Sequence, residues 1–181
     1  MEAVDVGGSV VAEAANGDEV AFARIVAAHH DDMARVAFVV CRDVHLAQDA
    51  AHAAWPIAWR KLSTIRDPGK LRPWLLAIAA NEARGLIRRQ GRRALREIAV
   101  DPNSEDRPAP AGADPAEHIA EVDLANALAR LGLDDRTIVG LRYAAGLSSA
   151  EIGAAIGMTG GGVRARLARI LARLREDLRD G

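Results

Sequence analysis

The apolar positions of this chain recur at intervals of three and four residues, and nowhere do they alternate. From Phe22 through Ile25, Val26, His29, Met33 and Val36 to Val40 they mark one face of a helix. Asp18 is placed to cap its start. A second helix is predicted from about Leu46 to Leu62. Pro56 lies inside it and removes a backbone donor, so a kink is expected. Arg66-Asp67-Pro68-Gly69 reads as a turn. The next helix covers Leu71 to about Arg93, with Trp74, Leu75, Ile78, Ala79, Leu86 and Ile87 as its apolar side and arginines late. Trp74, set among Leu75 and Ile78, is read as core. Residues 1–17 are small, acidic and glycine-rich, and a disordered N-terminus is expected there.

The periodicity then stops. Residues 99–113 read AVDPNSEDRPAPAGA, the composition of a linker. Asp114-Pro115-Ala116-Glu117 combines an N-cap, a proline at the first helical position and a glutamate that completes a capping box, so a second domain opens there. Leu124, Leu128 and Leu131 give it one apolar stripe. Asp134 or Asp135 is expected to cap the next helix, which carries Ile138, Val139, Leu141 and Tyr143 and stops at Gly146. Ser148-Ser149-Ala150-Glu151 is a second capping box. It opens a short helix with Ile152 and Ile156, ended by Gly157; Thr159 caps a last helix that runs to about Leu178. The expected fold is all-α: two small helical domains, 18–97 and 114–181, joined by a flexible acidic linker over 98–113.

The segment GLSSAEIGAAIGMTGGGVRARLARILARLRE has the form of a helix-turn-helix, a short helix and a glycine turn followed by a longer arginine-rich helix. Val163, Leu167, Ile170 and Leu174 fall on its inner side. Gly161, Ala165, Ala168, Arg169 and Ala172 fall opposite, flanked by Arg164, Arg166 and Arg173. Small residues at the centre of that face permit close approach to a major groove. Arg169 and Arg164 are placed for base edges, Arg166 and Arg173 for phosphates. Gly157 to Gly162 resembles a phosphate loop only superficially, because Val163 and Arg164 follow where Lys and Ser or Thr are required.

Composition supports the pattern. Half of the 181 residues are apolar yet only 3 % are aromatic, which favours closely packed helices. The net charge of −1 conceals a basic stretch over Arg84–Arg96, an acidic one over Glu97–Asp123 and a second basic one over Arg164–Arg179, so two polyanion-binding patches are expected. The single cysteine, Cys41, excludes an internal disulfide. Cys41 and His45 lie four apart, with His29, His30 and His52 near in sequence, but no third ligand is fixed by spacing and no metal site is expected. Neither a signal peptide nor a membrane span is recognisable, and a cytoplasmic protein is expected.

Three motifs narrow the class further. KLRPWLLAIAANEARGLIRRQGRR, the upstream LAQDAAHAAWPIAWRKL and the downstream ALARLGLDDRTIVGLRYAAGLSSAEIGAAIG stand in the order seen in the extracytoplasmic-function (ECF) sigma factors of the sigma-70 family, which the chain resembles over about residues 18–178. The resemblance implies a non-enzymatic protein without cofactor. It implies as partners core RNA polymerase (β′ clamp and β flap), promoter DNA and an anti-sigma protein. Asp49, His52, Trp55 and Trp59 would meet the polymerase. Asn81 would capture an unpaired base of the −10 element, with the 63–69 loop as the other wall and Arg84, Arg88, Arg89 and Arg92 on the strand phosphates. Arg164, Ala165, Arg166, Ala168, Arg169 and Arg173 would read the −35 element. The clamp-binding helix departs from type in Leu46, His52, Ala53 and Pro56. The rival reading is a helix-turn-helix regulator acting without entering the polymerase, but the N-terminal half has no receiver or sensor pattern.

Overall fold

The computed structural model describes residues 8–98 and 126–179, and every regular element among them is helical. Helix α1 spans Gly8–Ala15, α2 Glu19–Cys41 and α3 Val44–Lys61. Two 3-10 turns, Leu62–Thr64 and Pro68–Lys70, lead into α4, Leu71–Ile98. In the C-terminal half, α5 covers 126–130 and α6 Leu133–Val139. A π-helical turn, Gly140–Ala144, extends α6 directly. Helices α7 (Ser149–Ile156) and α8 (Gly160–Asp177) complete the chain.

Local chemistry sets these boundaries. Asp18 accepts the Ala21 N–H at 2.9 Å, as its sequence position suggests. Asp43 does the same for Leu46 at 2.9 Å, so α3 starts slightly earlier than the apolar pattern indicates. Arg42 closes α2 in the left-handed region at φ 58. Helix α3 runs through Pro56 without a break. Pro56 lies on the solvent side, where the backbone carbonyl it leaves unpaired can turn to water.

Several expectations are corrected. The N-terminus is not frayed from residue 8 onward. Val11 and Ala14, one turn apart and each 3 % exposed, seat α1 against α2 and the two 3-10 turns. Burying Val11 contributes roughly 2 kcal/mol, which the acidic, glycine-rich composition concealed. Helix α4 continues past Arg93 to Ile98. Neither Asp134 nor Asp135 caps α6: Gly132 holds that position without a side-chain bond, and the two carboxylates lie in the first turn, bound to arginines. The expected linker beyond Ile98 and the capping box at Asp114–Glu117 lie outside the described residues.

The two halves share one interior. Ile25, Met33, Val36, Leu75 and Leu76 belong to the same buried cluster as Ile138, Leu141, Ile152 and Val163. The π turn lies directly on α2. A Cβ on Gly140 would stand 3.3 Å from Val39 Cβ and 3.5 Å from the Val36 carbonyl oxygen, so the absence of a side chain permits the approach. Arg72 crosses the seam: Nε and Nη2 donate to Asp32 Oδ2 at 2.9 and 2.6 Å, and Nη1 donates to the Ala145 carbonyl at 2.8 Å.

Candidate nucleic-acid interface

The helix-turn-helix is assembled as the sequence indicates. Glu151 N–H donates to Ser148 Oγ at 3.3 Å, and Ser148 N–H donates back to Glu151 Oε2 at 2.7 Å. The Ser148 side-chain bond first, then its backbone bond, hold the Glu151 carboxyl below the usual range. Gly157 turns the chain at φ 74, and Thr159 accepts the Gly162 N–H at 3.1 Å to start α8. A residue that sequence reasoning passed over, Gly153, decides the closeness of the turn. A Cβ there would lie 2.5 Å from the Met158 carbonyl oxygen. An isolated glycine inside a short helix is the signal that could have found it.

On α8, Val163, Leu167, Ile170 and Leu174 are buried, while Arg164, Ala165, Ala168, Arg169, Ala172 and Arg173 face solvent. Arg166 does not stand free as expected: it is half-buried, and its Nε donates to Asp135 Oδ1 at 2.6 Å. With Arg169 and Arg173 it lines a cleft of about 470 Å³ over Leu131 and Met158.

On α4, Asn81 is exposed and its Oδ1 accepts from Arg84 Nη1 at 3.3 Å. Arg88, Arg89 and Arg92 are exposed. Arg84 is instead drawn inward. Its Nη2 donates to Asp134 of α6, which also lies 3.6 Å from Arg88 Nη2. The loop before α4 is shaped by its own polar groups: Asp67 accepts the Gly69 N–H at 3.0 Å and Thr64 Oγ1 donates to the Lys61 carbonyl at 2.6 Å. Ile65 and Lys70 of this segment, with Trp74 and Ala77, face Ala150 and Ala154 of α7 across an apolar cleft of about 460 Å³.

On α3, Asp49 and His52 are exposed and available to a partner. Trp55 is not. It is 7 % exposed, its ring meets Phe22 edge-on at 5.7 Å, and its indole N–H donates to His30 Nδ1 at 3.1 Å. Trp59 is half-buried against Phe22 at 4.6 Å. Both tryptophans hold α3 to α2, a task their helical positions do not distinguish from partner contact. His30 accepts at Nδ1, so Nε2 carries the proton it shares with Gln48 Oε1 at 3.3 Å. The same ring stacks on His52, with centroids 5.1 Å apart. Cys41 is buried, and burial first, then Asp43, push its thiol up to about 11 against the opposing pull of Arg136. Among the described residues no group of three or more His, Cys, Asp or Glu side chains is placed to hold a metal ion.

Residues 25–93 match the Sigma-70 region 2 family and residues 127–176 the Sigma-70 region 4 family. The chain is 32 % identical over 169 residues to the RNA polymerase sigma factor CarQ of Myxococcus xanthus, covering 89 % of this chain and 91 % of CarQ. It belongs to the sigma-70 family. Other relatives of this sigma factor carry the ECF designation. It is 31 % identical over 171 residues to the probable RNA polymerase sigma factor RfaY of Xanthomonas campestris pv. campestris; the match covers 91 % of this chain and spans 42 % of RfaY's length. The fold is similar to that of the sigma factor RpoE of Bartonella quintana, solved with the anti-sigma factor NepR. That similarity has a TM-score of 0.67 and 25 % identity, over 87 % of this chain and 96 % of RpoE. Arg84, Arg88, Arg89 and Arg92 of α4 thus lie in region 2 and the arginines of α8 in region 4 of this sigma factor.

Proposed function

We propose that this sigma factor binds core RNA polymerase and directs promoter recognition, DNA opening and transcription initiation. One observation carries the reading. Two arginine-bearing helices from different halves, α4 with the exposed amide of Asn81 and α8 with a small-residue face, sit on one scaffold. An amide offers both a donor and an acceptor to the edge of an unstacked base. Arg88, Arg89 and Arg92 would hold the phosphates of that −10 strand. On α8, Arg169 and Arg164 would reach base edges of the −35 element and Arg173 a phosphate. Arg166, fixed by Asp135, would serve chiefly to position α8.

The outer face of α3, with Asp49 and His52, would meet the polymerase. Trp55 and Trp59 would support that face from behind. An anti-sigma protein fits as a further partner, as RpoE has been solved with one. No helix among the described residues is long and apolar enough to cross a membrane. A helix-turn-helix regulator working outside the polymerase would use α7 and α8 alone. It would leave Asn81 and the arginines of α4 without a task.

Binding to core polymerase tests this reading. The chain should elute with core as a one-to-one complex, and Asp49→Lys should weaken the complex while leaving thermal stability unchanged. Failure of the unaltered chain to associate with core at micromolar concentrations would remove the proposal.

A further inference from the structure

We infer that His30 of α2 is a positioning residue for the polymerase-facing surface of α3, holding Gln48, His52 and Trp55 in place at the turn that Pro56 leaves short of a backbone bond. The inference rests on the reading of α3 as the face that meets core polymerase.

Gln48, His52 and Trp55 follow one another at intervals of four and three residues and so form one stripe of α3. A single side chain of the neighbouring helix touches all three. The Trp55 indole N–H donates to His30 Nδ1 at 3.1 Å. Acceptance at Nδ1 leaves the ring proton on Nε2, which donates to Gln48 Oε1 at 3.3 Å. The His52 ring stacks on the His30 ring, with 26° between their planes and centroids 5.1 Å apart. Both nitrogens of His30 and one face of its ring are thus committed to α3. Gln48, Asp49 and His52 are exposed, and His30 stands half-buried behind them.

Helix α3 needs this support at one particular turn. Pro56 has no N–H, and in a regular helix that group would bind the carbonyl four residues earlier, which is that of His52. The proline ring also crowds that carbonyl outward. The residue at which the helix lacks a rung is therefore the one whose ring rests on His30. Trp55, adjacent to Pro56, is bonded to the same ring. Phe22 meets Trp55 and Trp59 edge-on at 5.7 and 4.6 Å. Those contacts hold α3 to α2 by burial, which is non-directional and does not orient the polar side chains; hydrogen bonds do. Gln48 and His52 are thus ordered before a partner arrives, and the partner does not bear the entropy of ordering them.

Two readings on the full chain test this: hydrogen exchange along α3 by mass spectrometry in the free chain, and affinity for core polymerase. His30→Phe keeps a ring against His52 and removes both nitrogens. It should speed exchange around Pro56 and weaken core binding by about tenfold. His30→Asn puts an amide oxygen in the place of Nδ1, and should restore binding to within about threefold of the unaltered chain. Val11→Ala lowers stability from within α1, which packs on α2 and the two 3-10 turns, and should leave core affinity unchanged. If His30→Phe loses its helical circular dichroism, His30→Gln, whose amide reaches the place of Nε2 and not of Nδ1, replaces it. A folded His30→Phe that binds core as tightly as the unaltered chain would overturn the inference. So would a loss that Val11→Ala matches or that His30→Asn shares in full. The two readings also separate this idea from the one beneath it. If the unaltered chain binds core and His30→Phe binds as well, the sigma reading stands and the positioning role fails. If His30→Phe speeds exchange around Pro56, His30→Asn restores it and the unaltered chain does not bind core, His30 still orders α3 and the sigma reading fails.

Discussion

Trp55 and His30 decide what α3 can offer a partner. The tryptophan faces inward, and its N–H is committed to a histidine on the neighbouring helix. Trp55→Ala should therefore cost about 3–5 kcal/mol of stability, read by chemical denaturation, with any loss of polymerase binding following from unfolding. Trp55→Phe keeps one aromatic ring but loses the hydrogen bond and part of the packed volume, and should cost less, about 1–3 kcal/mol. His29 gives a pH dependence of definite sign. Burial first, then Arg72, lower its pKa from 6.5, and Asp32 opposes them. The unfolded chain takes up this proton more readily than the fold does. The stability owed to neutral His29 is thus fully present above pH 6.5 and is lost as pH falls below it. His29→Gln should flatten the decline in unfolding free energy between about pH 7 and about pH 5; an unchanged slope would contradict the assignment. These residues also show the limit of the sequence. The family resemblance put Trp55 among the residues that would meet the polymerase, but only packing reveals that it faces inward.

Elements were legible wherever a cap or a turn carries its own chemistry. Asp18, Ser148 with Glu151, and Thr159 do in the fold what their side chains suit them for, and Gly157 takes the left-handed turn that its missing side chain permits, because each acts on backbone within a few residues. Helix α1 was missed because two buried residues in a glycine-rich segment give too little periodicity to register. The cap of α6 was misassigned because Asp134 and Asp135 bind arginines distant in sequence. Within the helix-turn-helix, Ser148→Ala should cost about 1 kcal/mol. Gly153→Ala, which drives a methyl onto a backbone oxygen, should cost roughly 1–3 kcal/mol. Both should lower −35 binding and helical signal together. On α8, Arg169→Ala should relax discrimination at one upstream base pair by about 1–3 kcal/mol. Arg173→Ala should weaken all sequences alike and reduce the salt slope. Equal loss on every sequence for both variants would remove that division.

At the scale of the molecule, local pattern indicates two helical halves and an arginine set on each, and the match to regions 2 and 4 agrees. It does not indicate that the halves share an interior, since Arg72 with Ala145 and Arg84 with Asp134 pair residues dozens of positions apart. Gly140 reads as an ordinary helical glycine until Val36 and Val39 are seen beneath it. The same limit applies to the two arginine-bearing helices. Their residues can be named from sequence, whereas the pairing of Arg84 with Asp134 and of Arg166 with Asp135 requires the fold. All the assigned surfaces converge on one activity, which is measured directly by adding the chain to bacterial core polymerase and a library of genomic promoter fragments and reading run-off transcripts. The account predicts transcripts from a discrete subset of fragments, absent without the chain and reduced by Asn81→Ala and by Arg169→Ala. Initiation that is no greater than with core alone, across salt concentrations and fragments, would contradict it.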